Sequence, residues 1–112
     1  MNLCYKIWLD KNGKVFGAGP LKLLANIEKL GSLNEAAMQM NMSYSKAWKL
    51  INSIEKRLGY NLLHRETGGS SGGGSYLTEE AKKLMQSYRQ FILEAEDLLH
   101  KLYRKHFNEE GE

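Results

Sequence analysis

Two helix starts lie so close together that they dictate the geometry around them. Ser32-Leu33-Asn34-Glu35 reads as a capping box, in which the serine and glutamate side chains satisfy backbone donors at a helix N-terminus. Leu33, Ala36, Ala37 and Met40 form the inner stripe of a short helix, which Asn41, tolerant of left-handed backbone, can end. Only Asn41 and Met42 intervene before Ser43, a second good N-cap. From there Ala47, Leu50, Ile51, Ile54 and Leu58 make an apolar face up to Gly59. Helices joined by so tight a turn must cross steeply, and the small Ala37 near the crossing permits close approach. This is a helix-turn-helix pattern, with its second helix free to lie in a major groove.

The flanking segments extend the pattern. Leu3, Tyr5, Ile7 and Leu9 alternate along a strand over residues 3–9, and Asn12-Gly13 suits a tight hairpin turn. Val15 and Phe16 return, Gly17 and Gly19 end the strand, and Pro20 fits the first position of a helix carrying Leu21, Leu24, Ile27 and Leu30 up to Gly31. After the second helix, Leu62-Leu63 and Tyr76-Leu77 read as strands on either side of a tract with five glycines and three serines in residues 68–75.

That tract has three readings. A phosphate-cradling nucleotide loop needs a Lys followed by Ser or Thr at its end, and this one has neither in that order. A plain flexible linker accounts for the composition but not for the flanking strands. The tip of a hairpin, a wing, accounts for both, since glycine lets backbone N–H groups approach a phosphate closely. We take the wing.

Thr78 caps a final helix, with Glu79 and Glu80 at its positive end. Ala81, Leu84, Met85, Tyr88, Phe91, Ile92, Ala95, Leu98, Leu99, Leu102 and Tyr103 form its apolar stripe. A helix over residues 78–107 would be about 45 Å long, against roughly 30 Å for a small domain. The distal stripe therefore calls for a second copy across a two-fold axis, with Tyr88, Phe91, Ile92, Ala95, Leu98, Leu99, Leu102 and Tyr103 as the dimerisation residues. The expected fold is mainly α with a small β component. It comprises an N-terminal β-hairpin (1–19), a winged helix-turn-helix (20–77, wing 61–77), a dimerisation helix (78–107) and an acidic tail (108–112).

The charge pattern agrees with a polyanion partner on one side. Residues 1–77 hold ten Lys/Arg against five Asp/Glu, and residues 78–112 hold six against eight. On the second helix, Ser43, Tyr44, Ser45, Lys46, Lys49, Asn52, Ser53 and Lys56 lie off the apolar stripe. These residue types reach phosphates and base edges, and those of the first turn enter a groove deepest. Lys49 and Lys56 suit backbone phosphates. The competing reading is an ordinary solvated helix face. Trp48, one position off the stripe, is expected to pack, bracing the wing.

Other chemistries find little support. His100 and His106 are six apart and His64 is remote, so no i, i+4 metal pair exists. Cys4 is alone, with no base beside it in sequence, which excludes an internal disulfide and fits a reducing cytoplasm. No active site, cofactor or metal is expected, nor a membrane span or secretory signal.

The runs "LLANIEKLGSLNEAA", "MSYSKAWKLI" and "RETGGSSGGGSYLT" together closely resemble the N-terminal DNA-binding domain of ModE-type molybdate-responsive transcriptional regulators, over about residues 5 to 90. The resemblance implies a dimeric winged-helix regulator binding a palindromic operator near genes for molybdate or tungstate uptake or for molybdenum enzymes. It gives Ser43, Tyr44 and Lys46 the recognition role, and Arg65 with Gly68, Gly69, Ser70, Ser71 and the following tract to Ser75 the role of wing. Members of that family bind oxyanion in a separate C-terminal domain, while this sequence ends at Glu112. The expectation is a single-domain variant to which oxyanion does not bind directly. A protein-interaction module and a loosely specific architectural DNA binder are the alternative functions.

Overall fold

The computed structural model describes residues 1–65 and 74–107. Strands β1 (Leu9–Asp10) and β2 (Lys14–Phe16) precede helices α1 (Ala18–Leu30), α2 (Leu33–Gln39) and α3 (Tyr44–Leu58). Strands β3 (Leu63–Arg65) and β4 (Ser75–Leu77) then lead into α4 (Glu79–His106). Each pair of strands forms its own antiparallel two-stranded sheet. The architecture is the winged helix expected, with a hairpin before it and a long helix after it.

Local chemistry sets most boundaries. The hydroxyls of Ser32, Ser43 and Thr78 each accept from the backbone N–H three residues on, at 3.0, 3.1 and 3.0 Å. Gly31 and Gly59 end α1 and α3 in the left-handed region, at φ of 81° and 84°. Asn41, at φ 54°, turns the chain between α2 and α3, and Met42 N donates back to Ala37 O at 3.0 Å. The buried faces of the three helices meet around Leu23, Leu24, Ile27, Ala36, Ala37, Ala47, Ile51 and Ile54. Leu62, Leu63 and Leu77 at the foot of the β3–β4 hairpin close one side of this core; Phe16, Ala81, Met85 and Tyr88 complete it.

Two expectations are corrected near the N-terminus. Helix α1 begins at Ala18, so Pro20 is its third residue rather than its first. The ring is tolerated there because the first four helical N–H groups have no partner within the helix. The buried stripe is accordingly Pro20, Leu23, Leu24 and Ile27. The first strand is also shorter than residues 3–9. Pairing covers only Leu9 with Phe16 and Asp10 with Lys14, because β2 is three residues long and offers no further partner.

Residues 1–8 instead run along α4. Tyr88 Oη donates to Ile7 O at 2.7 Å, and Tyr103 Oη donates to Met1 O at 2.8 Å. Between them the Tyr5 ring meets His100 edge-on at 6.4 Å. Desolvation and the adjacent Glu96 carboxylate raise the Tyr5 phenol above its ordinary pKa. This arm corrects the view that the distal helix has nothing of its own chain to pack against. Tyr88 likewise belongs to the core, its ring edge-to-face with Phe16 at 5.2 Å, rather than to a free dimerisation surface.

A candidate nucleic-acid interface

The outward side of α3 is built by exclusion. Once Ala47, Ile51, Ile54 and the half-buried Leu50 and Leu58 turn inward, the helical period leaves Ser45, Lys49, Asn52 and Lys56 opposite them. Ser45, Lys46, Lys49 and Lys56 are exposed, as is Tyr44 at 51%, while Asn52 and Ser53 are half-buried. Ser43 is exposed too, but its hydroxyl is engaged as the N-cap of α3. Tyr44, Ser45 and Lys46 therefore stand together on the first turn, with two lysines further along.

On one flank of this face lies the wing. Its stem pairs Leu63 with Leu77, His64 with Tyr76, and Arg65 with Ser75. Alternation sends Leu63 and Leu77 into the core and leaves His64 and Tyr76 exposed as a cross-strand pair. Ser75 N donates to Gly31 O at 3.1 Å, fixing the returning strand to the end of α1. Arg65 closes the described part of β3. Gly68, Gly69, Ser70 and Ser71, named as wing-tip residues, lie outside the described residues.

Trp48, expected to pack and brace the wing, is 43% exposed, so its packing is partial. With Lys49, Asn52 and Lys56 it walls an open groove of about 690 Å³, closed on the far side by Tyr60 and Asn61 as the chain enters the wing. The groove carries two lysines and an exposed indole on the same side as the first-turn residues.

The fold and this surface can be set beside known proteins. The family described as bacterial regulatory helix-turn-helix protein, lysR family, matches residues 20–82. The chain belongs to this family. The transcriptional regulator ModE of Haemophilus influenzae is 41% identical over 68 residues, covering 61% of this chain and 27% of that protein. The molybdenum transport protein ModE of Azotobacter vinelandii is 34% identical over 82 residues, covering 73% and 30%. The chain thus spans less than a third of the length of these relatives. Among solved structures, a CbnR DBD–DNA complex superposes with a TM-score of 0.56 at 23% identity, covering 78% of this chain and 93% of that one. ArgP from Mycobacterium tuberculosis gives 0.54 at 25%, covering 78% and 31%. The lysR-type match starts at Pro20, so the N-terminal arm and hairpin lie outside it.

Two structural residues, and one further role of a third, escaped the sequence reading. Glu55 is only 8% exposed, and its Oε2 accepts from Leu62 N at 2.7 Å and Leu63 N at 3.3 Å, tying the wing stem to α3. A carboxylate four residues after Ile51, at the edge of the apolar stripe, was a signal that could have been read. Thr78 does more than cap α4: its hydroxyl donates to Asn61 O at 2.8 Å and its N–H to Leu62 O at 2.9 Å. Arg57 had no local signal, because the carbonyls it binds, those of Asn12 and Lys14, lie more than forty residues away.

Along α4, Phe91, Leu98 and Leu102 are exposed, whereas Ile92, Ala95, Leu99 and Tyr103 are half-buried. Among the described residues no helix is long and apolar enough to cross a membrane.

Proposed function

We propose that the chain is a sequence-specific, non-enzymatic regulator that binds duplex DNA as a homodimer at a palindromic operator. The observation that carries this reading is the exposed first turn of α3, with Tyr44, Ser45 and Lys46 projecting beside Lys49 and Lys56 just after the short Met40–Ser43 connection. Tyr44, Ser45 and Lys46 read base edges; Lys49, Lys56 and Arg65 hold backbone phosphates; Asn52 stands between, within reach of either. The name of one matched relative, a molybdenum transport protein, supports genes of molybdate uptake as targets; tungstate uptake and molybdenum enzymes are added as what the resemblance implies.

The dimer reading rests on spacing and exposure. Leu84, Tyr88, Phe91, Ala95, Leu98 and Leu102 follow intervals of four and three, the heptad seam of a coiled coil. Tyr88 is used internally, and Phe91, Leu98 and Leu102 remain open for a second copy. Two copies so joined would offer their recognition helices to half-sites about 34 Å apart. Leu98→Glu should convert the dimer to monomer in sedimentation and weaken operator binding with it.

Selection of bound sequences from random duplexes, followed by salt titration, tests the whole reading. A palindromic motif is the expected result. Binding to all sequences alike would sink it in favour of an architectural role. Lys49→Ala should weaken binding to every sequence and lower the log–log salt slope by about one per chain. Repeating the titration with molybdate, against a chloride control, should leave affinity unchanged if oxyanion does not act on this chain directly.

A further inference from the structure

The wing occupies one flank of α3; the other flank is occupied as well. Ser53 and Arg57 lie along it, one helical turn apart, and Arg57 holds the N-terminal hairpin there. Its Nε donates to Asn12 O at 3.2 Å and its Nη1 to Lys14 O at 3.1 Å, while Ser53 Oγ accepts a further bond from Nη1 at 2.6 Å. Gly13 sits at φ 125°, a conformation that side-chain-bearing residues rarely adopt, and a Cβ there would displace the Arg57 guanidinium, 2.7 Å away. Asn12, Ser53, Lys56 and Arg57 together line an open groove of about 290 Å³.

The charge on this flank is mostly positive. Lys11, Lys14 and Lys56 are exposed, and Arg57 lies among them. The nearest acid in the hairpin, Asp10, turns its carboxylate back toward the Gly13 N–H at 3.4 Å. The Lys14 ammonium is held over the Trp8 ring at 5.4 Å, which keeps it on the hairpin.

We propose that the tip of the N-terminal hairpin is a second DNA arm, with Lys11, supported by Lys14, contacting the phosphate backbone on the side of the groove opposite the wing. The proposal rests on the reading that α3 faces DNA. A helix roughly 10–12 Å across fills a major groove about 12 Å wide, so elements projecting from its two flanks meet the two bordering backbones. The tip lies level with the C-terminal half of α3, behind the first turn that enters deepest. An ammonium held there is placed for a phosphate rather than a base edge.

The test is salt titration of the full chain on its selected duplex. Lys11→Ala should lower the slope by about 0.9 per chain and cost about eightfold in affinity per chain at 0.1 M salt. Lys105→Ala, on the distal part of α4, should change neither. An unchanged slope for Lys11→Ala alongside a reduced one for Lys49→Ala overturns the second arm and leaves the recognition helix standing. A changed preference at one base pair, with the slope intact, overturns the assignment to phosphate. Failure of the unaltered chain to bind any duplex removes both readings together.

Discussion

On one flank of α3 the Glu55 carboxylate accepts from the N–H groups of Leu62 and Leu63; on the other the Arg57 guanidinium donates to the carbonyls of Asn12 and Lys14. Two residues of opposite charge, two positions apart, each hold a hairpin by its backbone. Their settings differ. The bonds to Glu55 are buried, between a carboxylate and amides that have no water to turn to, whereas those to the Asn12 and Lys14 carbonyls are exposed. The same kind of clip is structural on one side and positional on the other, according to what solvent offers when it opens.

The largest effect should follow from Glu55→Ala. Two buried N–H groups lose their acceptor, at a cost on the order of 2–4 kcal/mol, read as a lower denaturant midpoint with an unchanged slope. Glu55→Gln sharpens the point. One amide oxygen can still accept both bonds without a charge, so about 1 kcal/mol should be lost. Arg57→Met should cost less still, under about 1 kcal/mol, because water replaces the guanidinium at two exposed carbonyls. If the arginine variant proved the more damaging of the two clips, the N-terminal hairpin would count as part of the core rather than as an outlying arm.

The helix-turn-helix was legible because its signals are local. The serine caps act over three residues, and a steep crossing follows from a connection with only Asn41 and Met42 between the C-cap Met40 and the N-cap Ser43. The polar face of α3 was legible for the same reason, since helical period alone turns Lys49 and Lys56 away from Ile51 and Ile54. How far Trp48 is covered was not legible, because an aromatic beside an apolar stripe is a matter of what packs over it, and here it shares an open groove with Tyr60 and Asn61. The stripe on α4 read as one surface. It is two, divided by an arm that no periodicity within the helix could announce.

Most helix ends, the apolar faces of α3 and α4, and the glycine-rich hairpin after the second helix of the turn were written in the sequence, while the start of α1 and its buried stripe were not. Caps, left-handed glycines and periodicity depend on atoms a few residues apart, and they hold whatever the rest of the chain does. Only the tertiary structure decided which hairpin lies on which flank of α3, and that Met1 ends beside Tyr103. The N-terminal hairpin and arm join groups more than forty residues apart, whose meeting depends on how the assembled core orients them.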